Sequence, residues 1–87
     1  MPPENDLESA RPWLEYAEGD LSAAETLRAA NAEPYLVCFH CQQASEKAYK
    51  AYLVWLGGDP IPHIHDLALL VVRIRALGGE TPPDVGR

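Results

Sequence analysis

The sequence has few basic residues, only two cysteines and no long apolar run, and each shortage excludes a class of protein. Its 87 residues include 7 basic against 13 acidic side chains, a net charge of −6. This balance argues against binding nucleic acid through bulk charge, and we expect no DNA partner. No apolar run approaches the roughly 20 residues of a membrane span, so we expect no membrane partner either. Two cysteines give no disulfide framework.

The composition is that of one small globular domain. Hydrophobic residues make up 47% of the chain and charged residues 23%, which is within the globular range. The chain opens without a signal peptide, so we expect a cytoplasmic protein with reduced cysteines. A domain of this size leaves close to 40% of its unfolded surface exposed. We therefore expect oligomerisation to supply part of its stability.

Prolines and glycines divide the chain into three helical stretches. No stretch alternates like a strand, so the sequence predicts an all-α fold, a small antiparallel bundle of three main helices completed by dimerisation. The predicted helical domain covers residues 9–79, between flexible tails at 1–8 and 80–87. The expected helices cover residues 9–30, 34–56 and 67–77.

Capping residues predict where these helices begin and end. Ser9 is a good N-cap for helix 1, with Pro12 in the first turn where a missing N–H costs nothing. Asn31 is a candidate cap for helix 2, and Asp66 is the expected cap of helix 3. Helices 2 and 3 should end at the pairs Gly57-Gly58 and Gly78-Gly79.

The middle helix is apolar around most of its circumference, which is typical of a central helix. We therefore expect neighbours to cover it on almost every side. On helix 3, Leu69 and Val72 point away from the core face. Either a second chain covers them or a further helix is missing. The two apolar sides of helix 2 are Tyr35, Cys38, Phe39, Tyr49, Leu53 and Leu56, and the smaller residues Cys41, Ala44, Ala48, Ala51 and Trp55.

A polar stripe on helix 2 is the first candidate site. Spacings of three and four residues place its members on one side of the helix. Such a row of donors suits a phosphate or the edge of a nucleotide, although it also describes an ordinary solvated helix face. The stripe consists of His40, Gln43, Lys47 and Lys50.

Polar residues inside the apolar patterns predict a second feature, a network between helices 1 and 2. Asp20 interrupts the apolar stripe of helix 1, and Gln42 and Glu46 lie on the apolar side of helix 2. A buried carboxylate needs a partner; Lys50 is a candidate for Glu46, and Asp66 is assigned to the same network. The alternative is a site built around carboxylates with perturbed pKa values.

The spacing of Cys38 and Cys41, together with His63 and His65, imitates a zinc site. A single C-x-x-C in the middle of a helix is weak evidence, and both cysteines fall on apolar faces where they act as small hydrophobes. We expect no metal and no cofactor. His40, His63 and His65 remain candidate catalytic residues.

Two segments together resemble the prokaryotic HEPN domain over about residues 10–78. Residues 41–53 are similar to the central-helix signature H-x-x-Q-Q-A-x-E-K-x-x-K-A-x-L, and His40 matches the leading histidine with an offset of one residue. The sequence His65-Asp66-Leu67 resembles the T-H-D-L element of the family. Helix 1 is similar to the A-x-x-D-L-x-x-A pattern through Ala17, Asp20, Leu21 and Ala24.

The resemblance implies an all-α bundle, commonly homodimeric and tied to nucleotide or RNA transactions. Some members are metal-independent ribonucleases that act as toxins, and many pair with a minimal nucleotidyltransferase encoded next to them. Ribonuclease members carry an arginine followed about four to six residues later by histidine. None of the five arginines here has such a histidine: Arg11, Arg28, Arg73, Arg75 and Arg87.

We therefore expect a non-catalytic HEPN-like binding and assembly module. It would be homodimeric, partner a nucleotidyltransferase in a toxin–antitoxin-like pair, and contact nucleotide or RNA. The alternative is an RNA-cleaving toxin that uses His40, His63 or His65 as acid or base, with Lys47 countering phosphate charge. The expected contact residues of the binding module are His40, Gln43, Lys47, Lys50 and His65.

Overall fold

The computed structural model describes residues 6–58 and 67–81, and within these ranges every regular element is an α-helix. The prediction of an all-α bundle of three main helices is confirmed. None of the described helices has both the length and the hydropathy needed to cross a membrane. The helices are α1 (Leu7–Ala29), α2 (Pro34–Trp55) and α3 (Leu67–Ala76).

The start of α1 differs from the prediction. The cap is Asp6, whose carboxylate accepts a hydrogen bond from the Ser9 backbone N–H at 3.0 Å. The helix therefore begins one turn before the position expected from Ser9, because an aspartate caps as well as a serine. Pro12 is consequently the sixth helical residue and lies in the second turn rather than the first.

All three helices end in the same hydrogen-bonded turn, with a left-handed residue just beyond the helix. Gly57 (φ 91°) and Gly78 (φ 88°) occupy this position after α2 and α3, as predicted. Asn31 (φ 56°) occupies it after α1, so it ends the first helix instead of capping the second. The N-cap of α2 is Glu33, which makes no side-chain capping bond.

Helices α1 and α2 form an antiparallel hairpin through residues 30–33. The Asp6 N–H donates to the Trp55 carbonyl at 3.1 Å, which places the start of α1 beside the end of α2. Small side chains repeat every seven residues along α1 and are buried, allowing the two backbones to approach closely. These residues are Ala10, Ala17 and Ala24.

Helix α3 packs against the second half of α2 and, within the described residues, does not approach α1. Leu53, Leu70 and Ile74 form the buried centre of this contact. The segment after α3 is held by a hydrogen bond in which the Glu80 N–H donates to the Tyr52 hydroxyl at 3.0 Å. Helix α2 is therefore the central element of the bundle.

The expectation that neighbours cover α2 on almost every side is wrong for the single chain. All fully buried residues of α2 lie at Glu46 or later, whereas Tyr35 and Phe39 are 69% and 53% exposed. Cys38 and Cys41 are exposed too. The reason is length, since the 10 residues of α3 span about 15 Å and the 22 of α2 about 33 Å.

Several predictions fall outside the described residues. His63, His65 and Asp66 all lie between α2 and α3 in the part of the chain that the structure does not describe. Within the described part, Leu69 and Val72 are 37% and 61% exposed, as expected for residues that the chain itself does not cover.

Candidate functional site

The register of the α1–α2 hairpin brings three charged or titratable residues together, and we call them the Asp20 cluster. The two helices are antiparallel, and the turn between them places residue 20 opposite residue 43. His40 lies three residues before position 43 and Lys47 lies four residues after it, so both side chains reach Asp20. Asp20 thus does cross-link helices 1 and 2, but its partners come from the predicted ligand stripe.

The cluster is partly buried at the seam between the helices. His40 Nδ1 lies 3.3 Å from Asp20 Oδ1, and Lys47 Nζ pairs with Asp20 Oδ2. The Asp20 side chain is 14% exposed, and those of His40 and Lys47 are each 29% exposed. The ring of Phe39 stands edge-on to the imidazole, with 5.3 Å between their centroids.

The electrostatics of the cluster favour an ionised carboxylate. Partial burial on its own raises the pKa of Asp20, but the hydrogen bonds and charges of Lys47 and His40 outweigh this and lower the pKa below 3.8. Because Lys47 already neutralises Asp20, the cluster carries no net charge when His40 is neutral. It therefore presents hydrogen-bonding groups rather than a strong positive potential.

Among residues 6–58 and 67–81, only one ring nitrogen of His40, Nδ1, has a polar partner, and that partner is Asp20. A neutral imidazole that donates from Nδ1 keeps a basic lone pair on Nε2. A carboxylate that orients a histidine in this way is the arrangement found behind a general base. The adjacent Gln43 is half-buried on the same side of α2.

The remaining predicted site residues are placed differently. Lys50 is only 3% exposed, and its Nζ lies 5.3 Å from the centroid of the Trp13 ring, so the stripe does not extend to it as a surface. Glu46 is likewise 3% exposed, while Gln42 is exposed. Glu46 and Lys50 each have an interaction partner; their pairing with each other stays a prediction.

An apolar surface lies on the same hairpin, and we call it the α1–α2 groove. It contains two adjoining hollows of about 390 and 260 Å³ that share Leu14. Sequence reasoning anticipated only its small-residue wall on α2, because it assigned Leu7 to the flexible tail at 1–8 and gave Leu14 no place on either face of helix 1. The groove is lined by Leu7, Ala10, Leu14, Ala17, Glu18 and Leu21 from α1 and by Cys41, Ala44, Ser45, Ala48, Ala51, Tyr52 and Trp55 from α2.

Comparison with known proteins gives one match. The family model of the HEPN domain matches residues 10–87, which is most of the chain. No curated protein and no solved structure matches it. The matched segment contains α1 from Ala10 onwards and the whole of α2 and α3, and therefore all three residues of the Asp20 cluster.

Proposed function

The chain belongs to the HEPN domain family, and on that premise we propose that it is a non-catalytic binding and assembly module. In this proposal the module is a homodimer that pairs with a minimal nucleotidyltransferase in a toxin–antitoxin-like system. The main support is the exposed apolar surface of the hairpin. Leu7, Leu14 and Leu21 are 52%, 39% and 49% exposed, and contiguous apolar patches of this kind mark interaction sites.

The proposed occupant of the α1–α2 groove is a second copy of the chain. A two-fold interface must be self-complementary, and the groove offers both halves of such a contact. The three leucines spaced seven residues apart on α1 form a ridge. Cys41, Ser45 and Ala48 on α2 form a shallow trough of small side chains. A two-fold arrangement seats the ridge of each copy in the trough of the other.

A charged substitution in the ridge tests the homodimer. Leu14→Glu should raise the dissociation constant of the dimer by about tenfold or more, because a carboxylate would be desolvated without a partner. Glu15→Gln is the matched control, since Glu15 is an exposed neighbour outside the groove. Equal dissociation constants for Leu14→Glu and the wild type would contradict the proposed interface.

Co-expression tests the proposed partner. A minimal nucleotidyltransferase encoded next to this chain should co-purify with it in a fixed ratio, through a wash at high salt. Loss of the complex in Val72→Glu, a variant outside the groove, would then place the enzyme on the outer side of α3. A nucleotidyltransferase from that position that elutes separately from this chain would contradict the pairing.

The half-exposed His40, Gln43 and Lys47 form the proposed nucleotide contact. Since Asp20 neutralises Lys47, we expect recognition of base and sugar edges rather than of phosphate charge. Adenosine and ATP should therefore bind with affinities within about threefold of each other, with little dependence on salt. Titrations followed by NMR shifts of α2 measure this, and much tighter, salt-sensitive binding of ATP would contradict it.

The second candidate is a metal-independent ribonuclease, favoured by one observation, the contact between Asp20 and His40 Nδ1. Against it stand the absent arginine–histidine motif and the commitment of Lys47 to Asp20. We expect no cleavage of single-stranded RNA in the presence of a chelator beyond that seen with His40→Ala. Cleavage by the wild type that is lost in a fully helical His40→Ala protein would replace the binding module by the enzyme.

A further inference from the structure

The outer side of α3 combines an exposed apolar strip with an exposed arginine. Leu69 and Val72 are 37% and 61% exposed, and Ala76 is exposed as well. Arg73 lies four residues after Leu69 and three before Ala76, so its side chain borders the strip. Within the described part of the chain, no carboxylate pairs with Arg73. We infer that this surface binds a helical segment of a partner protein in which acidic side chains lie beside apolar ones.

The charge of α3 is opposite to that of the whole chain. The chain has a net charge of −6, whereas α3 contains two arginines and no acidic residue. Arg75, three residues after Val72, borders the other edge of the strip and donates from Nε to Thr81 Oγ1 at 2.6 Å. Arg73 is therefore the cation assigned to the partner. A guanidinium beside an apolar surface favours a carboxylate that has an apolar neighbour.

A small hollow adjoins Arg73 and suits an apolar anchor. It has a volume of about 220 Å³ and is lined by Leu53, Gly58, Arg73, Ala76 and Leu77. This volume is below the roughly 300 Å³ at which small-molecule pockets begin, so the hollow fits a single side chain. Side chains anchored in pockets supply much of the binding energy at interfaces. The apolar contacts therefore supply most of the affinity, and Arg73 selects an acidic sequence.

A second copy of the chain suits this surface less well than a different protein. A two-fold contact pairs a surface with itself, so it would bring the two Arg73 side chains together, and like charges repel. The second copy is already assigned to the α1–α2 groove. The inference thus rests on the assembly role proposed above, and it adds the chemistry by which α3 would recognise the other partner.

A fluorescent peptide tests the surface on the full chain. The probe is a helical peptide of about 15 residues with leucines along one side and glutamates next to them, and its twin has glutamine at each glutamate. Fluorescence anisotropy should give the glutamate peptide a dissociation constant about fivefold lower than that of its twin, because only carboxylates pair with Arg73. Equal affinities for the two peptides, or no binding of either, would overturn the inference.

Matched variants locate the contact. Arg73→Gln should weaken binding of the glutamate peptide about fivefold, whereas Arg28→Gln, which removes the same charge from an exposed position on α1, should leave it within about twofold. Val72→Glu should weaken it about tenfold or more, because it adds a carboxylate without a partner to the contact. Equal effects of the two arginine variants, or loss of binding in Leu14→Glu but not in Val72→Glu, would overturn the inference. Dissociation of the dimer in Val72→Glu would assign the surface to a second copy and overturn it too.

The nucleotidyltransferase complex separates this inference from the proposed pairing. If the enzyme co-purifies but Arg73→Gln retains it as firmly as Arg28→Gln, the pairing holds and the acidic contact is overturned. If the enzyme elutes separately while the glutamate peptide binds through Arg73, the pairing fails and the acidic contact is supported.

Discussion

Asp20 shows at the scale of one residue how a buried charge is stabilised. A carboxylate on the packed side of α1 is costly unless it is paired, and both partners come from the same side of α2. Its side chain is 14% exposed. We therefore expect its ion pairs to contribute a free energy of unfolding between the values typical of surface pairs and of buried pairs. The cluster therefore stabilises the hairpin and fixes the register of its helices.

Asp20→Asn should lower the free energy of unfolding by about 1–2 kcal/mol, between the values typical of exposed and buried pairs. The amide keeps the shape but leaves Lys47 without its counter-charge. Urea denaturation at pH 7 measures the change. Glu25→Gln on the exposed side of α1 is the control and should change stability by less than about 0.5 kcal/mol. Equal losses in the two variants would show that the Asp20 pairs contribute nothing.

The stabilising effect of Asp20 should depend on pH. Its pKa in the folded chain is lower than the 3.8 of the free side chain, so the unfolded state binds more protons between the two values. The contribution is then complete above about pH 4 and disappears as the pH falls through the folded pKa. The stability gap between wild type and Asp20→Asn should therefore close on acidification. A gap that stayed unchanged as the pH fell below about 4 would contradict the ion pairs.

The sequence predicted that Asp20 belongs to such a network, but it did not predict the partners of Asp20. The apolar pattern around Asp20 indicated burial and therefore a partner. It could not choose among the polar residues of α2, because that choice depends on the register of the hairpin. Once the turn is placed at residues 30–33, residue 20 of α1 lies opposite residue 43 of α2. His40 and Lys47 then lie on either side of that position. Lys50 was misplaced for a related reason, since its long side chain lies against Trp13.

At the scale of the helix, the most informative feature is the start of α1. Serine and aspartate are equally good caps, and the sequence offers Asp6 and Ser9 one turn apart. The structure selects Asp6, with the Ser9 N–H as its donor. This choice moves Pro12 from a tolerated position into the helix interior, where it removes the hydrogen bond to the Glu8 carbonyl.

Pro12→Ala should therefore raise the free energy of unfolding by about 1–3 kcal/mol, since it restores that bond and removes the ring clash. Thermal unfolding followed by circular dichroism measures the gain. Pro34→Ala is the matched control, because Pro34 is the first residue of α2 and its missing N–H has no helical partner. If the two substitutions had equal small effects, α1 would begin near Ser9 after all.

Helix ends were easier to predict than helix starts. A left-handed residue followed by the closing hydrogen bonds favours glycine strongly, so Gly57 and Gly78 mark the ends of α2 and α3 without ambiguity. Asn31 was read as a cap for the next helix, although asparagine also adopts the left-handed conformation. Several residue types cap the start of a helix equally well, so tertiary contacts such as that between Asp6 and Trp55 decide which residue is used.

For the whole molecule, the fold class and the central place of α2 followed from the apolar pattern, but its degree of burial did not. Pattern reasoning treats every apolar face as covered, whereas coverage depends on the lengths of the neighbouring helices. Helix α3 reaches only the second half of α2. The uncovered surfaces, the α1–α2 groove and the outer side of α3, are the basis of the proposed assembly.

Sedimentation equilibrium at micromolar concentration tests the central claim most directly. A second copy that covers the α1–α2 groove predicts a species of twice the 9.6 kDa chain mass, which dissociates on dilution and shifts towards one chain in Leu14→Glu. A well-folded wild-type species of one chain mass at all these concentrations would contradict the account.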